Sequence, residues 1–309
     1  MTRALIATLA VEAVIIAALL TVAADQVAHT RVEKLGGVNV WGYRGAVMHQ
    51  KKVNELRIAV SGGDLAFGWG VAASETLAPA VRFLASMVLD VRGRPSRLVT
   101  GVTIAARGLA PVGYAQWIEH YAYLRPDVIC LVPDPSDHVL ADSPFVPDRR
   151  SLAFSAFGYS PILPLVLDEK GTLTHSAARR MLGRTLARID AGLARAADEP
   201  GPAAADVPTY VAAIEAGVRA GLRAASSGVV VVIPPRTGTA DRDGVKAMMA
   251  STFRGERVRV VDLGDDPRMG SDALRLDHFS FSTAGHAVAA ENVAPAVLDL
   301  LRRSESRTP

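Results

Sequence analysis

Carboxylate, imidazole and hydroxyl side chains occur together in three short stretches of the sequence. In the first, Asp64 follows an apolar run and the glycine pair Gly62 and Gly63. The other two stretches combine acids, histidines and serines: Asp134, Ser136, Asp137 and His138, then Asp277, His278 and Ser280. A carboxylate can attack an acyl carbon if a histidine nearby moves the protons, whereas several converging carboxylates can hold a hard cation. Either chemistry requires a fold that brings the three stretches together.

The spacing of apolar residues predicts such a fold. Apolar, β-branched runs that are typical of buried strands occur at about 56–61, 97–104, 127–132, 228–234 and 257–263. Helical patterns occur at about 76–91, 113–124, 174–197, 207–225, 242–254 and 284–302. This alternation predicts an α/β fold, a flavodoxin-like, three-layer, doubly wound parallel sheet. Ligands of such sheets bind outside the carboxyl ends of the strands, where all three polar stretches are expected.

Three motifs carry a resemblance to a known family. Gly62-Gly63-Asp64, followed by Phe67, Gly68 and Gly70, resembles the first motif of the SGNH/GDSL hydrolase superfamily, Gly-(Gly/Asp)-Ser-x-x-x-Gly. Phe281-Ser-Thr-Ala-Gly-His286 is similar to the flank of that family's last motif. Asn39-Val-Trp-Gly-Tyr-Arg-Gly45 resembles the lead-in of membrane-anchored bacterial proteins of this type. The later run Tyr159-Ser-Pro-Ile-Leu-Pro-Leu165 is also similar to a segment of these anchored proteins, so the resemblance covers nearly all of the chain.

The resemblance implies an ester-hydrolase scaffold with substituted catalytic positions. The family uses an attacking serine, a histidine base with an orienting aspartate, and a glycine and an asparagine that bind the oxyanion. Here the nucleophile's position, after Gly63, holds Asp64, and the base's position holds Ser280. The oxyanion glycine falls on Ala105 or Gly108, and the asparagine falls on Ser136, beside Asp137 and His138. Only the orienting aspartate, Asp277, is retained.

Three functions remain open at this point. The first is a non-catalytic binding or accessory protein of the cell envelope, whose ligand class by resemblance is an acylated glycan or lipid. The second is an active ester hydrolase or O-acyltransferase in which Asp64 attacks and a displaced His278 or His138 serves as base. The third is a Mg²⁺ or Ca²⁺ site on the four aspartates, although their spacing matches no metal motif and Arg107 could neutralise the same charge. No cofactor motif is recognised, because neither Gly-x-Gly-x-x-Gly nor a phosphate loop is present.

The first 25 residues predict a membrane anchor. The run from Ala4 to Ala24 is long enough to cross a bilayer, and Glu12 near its middle is either tolerated or paired with a helix of a partner membrane protein. A lead-in is expected at 26–54, polar and irregular, then an SGNH-like domain at 55–303 with an insertion at about 138–206, and a disordered tail at 304–309. The expected location is the inner (cytoplasmic) membrane, single-pass, with the domain on the extracytoplasmic, periplasmic side.

Composition excludes some partners and bonds. The 34 basic and 31 acidic residues are interspersed, so no basic block indicates nucleic acid. Cys130 is the only cysteine, and it lies in an apolar run, which excludes an intrachain disulfide and indicates a small buried side chain.

Overall fold

The computed structural model describes most of the anchor, the sheet and the helices that cover it. The described residues are 2–33, 38–90, 97–106, 109–134, 207–235, 237, 239–276 and 280–305, with the single positions 156, 159, 161 and 163. The predicted helix at 174–197 and most of the predicted insertion therefore lie outside the described residues.

Five parallel strands form one sheet, in agreement with the prediction. They are β1 Glu55–Gly62, β2 Leu98–Thr103, β3 Val128–Val132, β4 Gly228–Ile233 and β5 Val258–Asp262. Their order is β2-β1-β3-β4-β5, which is the flavodoxin-like order of a doubly wound sheet. The strand order reverses between β1 and β3, because β2 lies on one side of β1 and β3 on the other. Folds of this kind bind ligands at this switch point.

Helices cover both faces of the sheet. The helices are α1 Thr2–Glu33, α2 Asp64–Phe67, α3 Leu77–Asp90, α4 Tyr114–His120, α5 Val207–Ala224, α6 Thr239–Thr252 and α7 Thr283–Glu305. Side chains alternate across a strand, so Ile58 and Val60 of β1 join the core beneath α3 and α7, whereas Ala59 joins the core beneath α4, α5 and α6. Cys130 is fully buried in the first core, as expected.

The apolar N-terminal helix is longer than the sequence predicted. It continues past residue 25 to Glu33, because the residues after the apolar run contain no proline or glycine that would end a helix. Between Leu5 and His29 it is long and apolar enough to cross a membrane, with a mean hydropathy of 2.5, and its apolar side chains are exposed. The predicted lead-in at 26–54 is thus helical at its start. At the other end of the domain, α7 runs on to Glu305, which lies in the tail predicted at 304–309.

Candidate functional site

Three strand ends meet at Gly62, directly before Asp64. Gly62 has a φ of +151°, and a Cβ there would lie 2.4 Å from the carbonyl oxygen of Val132 and 2.9 Å from Ala66 Cβ. Its own carbonyl accepts a hydrogen bond from Ala106 N, at 3.1 Å. Glycine is therefore required, and the turn lies where the ends of β1, β2 and β3 converge, as the sequence predicted for the site.

Asp64 begins a short helix that the sequence analysis did not predict. The helix α2 is a single turn in which Phe67 N donates to Gly63 O at 2.9 Å, and Gly68 N donates to Asp64 O at 3.0 Å. Gly68 ends it in the left-handed conformation, with a φ of +73°. The Asp64 side chain is only 2% exposed, so this carboxyl group is held inside the turn and is not displayed to solvent.

Hydrogen bonds to β1 fix the orientation of the backbone on both sides of Ala105. Ile104 N donates to Val60 O at 2.8 Å, and Ala106 N donates to Gly62 O at 3.1 Å. In an extended chain successive N–H groups point to opposite sides. The N–H of Ala105, which lies between them, is therefore directed away from β1 and from the turn that begins at Gly62.

The loop before α7 lies against the turn after Asp64. A Cβ on Gly68 would be 2.8 Å from His286 Nε2, and one on Gly70 would be 2.8 Å from Leu276 Cδ1. Ser280 is in this loop, where it is 2% exposed and its carbonyl accepts a hydrogen bond from Leu276 N at 3.0 Å. The described residues on either side of the third polar stretch therefore lie against the turn that follows Asp64.

Arg44 was not predicted as a site residue, yet it holds the turn after Asp64 in place. Its guanidinium is buried and donates to Phe67 O at 2.5 Å and also to the carbonyl oxygens of Gly68 and Val71. Burial lowers the pKa of Arg44 to about 10, which leaves the side chain charged at neutral pH. The signal was present in the Asn-x-x-Gly-Tyr-Arg-Gly motif, but a motif does not reveal which carbonyls an arginine reaches.

The rest of that motif builds the loop that carries Arg44. The Asn39 side chain accepts from Trp41 N and donates to Gly45 O, both at 2.9 Å. Tyr43 is buried, packs edge-on against Tyr121, and its hydroxyl accepts from Met48 N at 2.6 Å. Tyr43 thus packs inside the domain, whereas Trp41 remains 39% exposed.

His286 is a second residue that the sequence analysis missed as part of this region. It is fully buried, its ring packs edge-on against Phe281, and neither ring nitrogen has a hydrogen-bond partner among the described residues. Burial, and to a lesser extent the charge of Arg44, lowers the pKa of His286 to about 3. The imidazole is therefore neutral and enclosed, and solvent does not reach it.

Several predicted site residues lie outside the described residues: Arg107, Gly108, Ser136, Asp137, His138, Asp277 and His278. Asp134 is described and lies just past the end of β3, where it is half-buried. Within the described part of the chain, no group of three or more His, Cys, Asp or Glu side chains could hold a metal ion. The four-aspartate cation site includes two residues beyond that part, so it stays a prediction.

The fold and the Asp64 turn define a flavodoxin-like α/β domain whose candidate site lies at the sheet's switch point, and several solved structures are similar to this domain. A protein described as lipolytic and of the G-D-S-L family, from Desulfitobacterium hafniense DCB-2, is 9% identical, with 78% of this chain and 98% of that one covered, at a TM-score of 0.42. An acetyl esterase mutant with an acetate ion is 11% identical, with 80% of this chain and 99% of that one covered, at a TM-score of 0.43. A catalytic mutant of an acetylxylan esterase from Geobacillus stearothermophilus is 13% identical, with 80% of this chain and 94% of that one covered, at a TM-score of 0.40.

No protein-family model matches the chain, and no curated protein matches it. The likeness to the solved structures is distant and describes the arrangement of strands and helices. Of the three structures, one is described as being of the G-D-S-L family and the other two as esterases.

Proposed function

We propose that the protein is a membrane-anchored, SGNH-hydrolase-like domain that binds an acylated glycan or lipid at the carboxyl edge of its sheet and does not cleave it. One observation carries the proposal. The two positions at which the family keeps its attacking hydroxyl and its base hold Asp64 and Ser280, and each of these side chains is 2% exposed.

The chemistry of these two groups supports a binding role. A serine hydroxyl does not take up a proton near neutral pH, so Ser280 cannot serve as a base. A carboxylate such as Asp64 can attack an acyl carbon, but a base must then activate water to release the acyl group. The described imidazole nearest the turn, that of His286, is enclosed and neutral. The N–H of Ala105 is directed away from this turn, so Ala105 does not offer an oxyanion a donor there, and Gly108, the other candidate, lies outside the described residues.

The apolar helix α1 supports a single-pass location in the membrane. Its apolar side chains between Leu5 and Val22 are about half to two-thirds exposed, which lipid would cover. We place the domain on the extracytoplasmic side of the inner membrane, with Arg3 and the amino terminus inside. Protease added to intact spheroplasts should then digest the domain and leave the anchor.

An ester assay tests the binding role. The full chain in detergent is given an activated short-chain ester, and the wild type is compared with Asp64→Asn and His278→Ala. Asp265→Asn is the matched control, because Asp265 is an exposed aspartate that also follows a strand end. We expect all four proteins to release product no faster than buffer does. Turnover by the wild type and the control that both Asp64→Asn and His278→Ala abolish would overturn the proposal in favour of an ester hydrolase or O-acyltransferase.

A further inference from the structure

The last turns of the anchor helix are fixed to the domain. Asp25 and His29 are 2% and 3% exposed, unlike the apolar residues before them. His29 Nδ1 lies 2.5 Å from the carbonyl oxygen of Val38, and Asp25 Oδ1 accepts a hydrogen bond from Leu163 N at 2.6 Å. Asp25 also accepts a hydrogen bond from Tyr159. Where α1 leaves its apolar span, the helix is therefore docked and does not end in a free linker.

The docked end of α1 lies close to the carboxyl edge of the sheet. Val38, which His29 contacts, is followed within six residues by Arg44, a path of at most about 23 Å. Arg44 N donates to Thr103 O, at the carboxyl end of β2, at 2.9 Å, and its guanidinium holds Phe67 and Gly68. The carboxyl edge of the sheet, where the candidate site lies, is thus held next to the point where the chain enters the bilayer.

A groove of about 600 Å³ lies beside this connection. One wall is the loop from Arg44 to Met48, and the other includes Ala72, Ala73, Pro79 and Gly101. Its volume lies within the range of about 300–1,000 Å³ that is usual for small-molecule sites. Among the described residues that line it, Arg44 is the only charged one, and that charge already faces backbone carbonyls. An apolar chain would therefore fit the lining better than a sugar ring, which needs polar partners.

Two exposed apolar side chains continue this surface toward the anchor. Trp41, in the loop between the docked helix and the groove, is 39% exposed, and Val47, in the loop that forms one wall of the groove, is 41% exposed. Tryptophan is enriched where a protein meets the headgroup region of a bilayer. The groove is thus continuous with the surface that α1 places at the membrane.

We propose that this groove binds the acyl chain of a bilayer lipid, so that the ligand of the carboxyl edge is an acylated lipid drawn from the adjoining leaflet. The proposal deepens the proposed function and rests on it for the location of the site. The acyl chain lies between Ala46 and Ala73, and the headgroup end points toward the turn that Arg44 holds.

Photolabelling tests the groove. The full chain is reconstituted in phosphatidylcholine vesicles that contain a lipid with a photoreactive diazirine in its acyl chain, and labelled peptides are mapped by mass spectrometry. Labels on residues 5–22 report general lipid contact and serve as the internal standard. We expect additional labels at 44–48 and 72–74.

Substitutions at an exposed alanine separate the groove from general contact. Ala46→Trp fills the groove and Ala46→Asp places a charge in it, and each should lower the groove label at least fivefold relative to the anchor label. Ala250→Trp is the matched control, because Ala250 is an exposed alanine beside a different cavity, and the groove label should be unchanged.

Three results would overturn the groove proposal: labels confined to the anchor, a groove label that both Ala46 variants retain, or loss of the label when a soluble acetylated oligosaccharide is added. The ester assay is read separately. Turnover that depends on Asp64 would overturn the binding role, while groove labels that respond to Ala46 would still support a lipid ligand.

Discussion

The two edges of the sheet treat their buried polar groups differently. At the amino edge, Arg57 is 2% exposed, and each of its guanidinium nitrogens donates a hydrogen bond, to Glu55, Leu124 O or His49 O. Glu55 also accepts from Lys52 N and from the hydroxyl of Thr100. Buried charges of this kind are stable only when all of their partners are present, and here they are.

At the carboxyl edge, several buried polar groups lack such partners among the described residues. Both nitrogens of His286, Arg44 Nε and the Ser61 hydroxyl have no hydrogen bond there. Because an unpaired buried polar atom costs about 1–3 kcal/mol, this edge is less stable than its packing alone would make it. Uncompensated groups of this type are expected at functional sites, whereas the hydrogen bonds of Arg57 and Glu55 at the amino edge are satisfied.

Replacing Arg57 should give the largest loss of stability and test the structural role of the amino edge. In Arg57→Met, the Glu55 carboxylate would stay buried without its charged partner, and we expect a loss of about 3–5 kcal/mol. Burial raises the pKa of Glu55, but the hydrogen bonds from Thr100, Lys52 N and Arg57 outweigh this and hold the pKa below its usual value. The measurement is urea unfolding of the full chain in detergent at pH 7.

The double variant Glu55→Gln with Arg57→Met is the control. It removes both charges, so it should be more stable than Arg57→Met alone. If the double and single variants unfolded at the same urea concentration, the pair would not be coupled and the contrast between the edges would fail.

The fold was predictable because its signals are local. Each end of the five predicted strands lies within one residue of an observed end, since parallel strands covered by helices leave mainly apolar runs in the sequence. The short helix α2 was missed because four residues are too few to show a helical period. The extension of α1 to Glu33 was missed because the prediction followed the apolar run, which ends at Ala24. No proline or glycine stops the helix there, and the contact of His29 with Val38 O holds its last turns.

The site was predictable in part. The glycine frame around Asp64 and the approach of the Ser280 loop followed from the order of strands and motifs. The roles of Arg44 and His286 did not, because they depend on contacts between segments that are far apart in sequence. Arg44 reaches Gly68 across 24 positions, and nothing near Arg44 in the chain specifies that partner.

Acid should destabilise the carboxyl edge through His286. The folded state keeps this imidazole neutral because its pKa is lowered to about 3, whereas the unfolded chain takes up the proton near pH 6.5. Stability is therefore complete above pH 6.5 and falls as the pH is lowered toward 3, by up to about 1.4 kcal/mol per pH unit. At pH 4.5 the loss should be about 3 kcal/mol relative to pH 7, measured by urea unfolding.

His286→Leu isolates this contribution, since other groups also titrate in that range. Leucine fills much of the same space without a buried polar nitrogen, so the variant should be at least as stable as the wild type at pH 4.5 and show a flatter pH dependence. Equal slopes for both proteins between pH 6.5 and 4.5 would mean that the enclosed imidazole does not weaken this edge.

Alanine substitutions at Gly68 and Gly45 test the same contrast with the smallest expected change in stability. Both have positive φ, +73° and +95°, so an alanine at either position should cost about 1 kcal/mol in backbone conformation. A Cβ at Gly45 would meet nothing within 4 Å, whereas one at Gly68 would press on both His286 Nε2 and Thr76 Cγ2, each at 2.8 Å. Gly68→Ala should therefore destabilise by about 1–2 kcal/mol more than Gly45→Ala, in line with the cost of overpacking. Combining Gly68→Ala with His286→Ala should remove the part of that excess that comes from His286 and leave the part that comes from Thr76. If the excess persisted in full in the combined variant, the close packing of the Asp64 turn against α7 would not contribute to it.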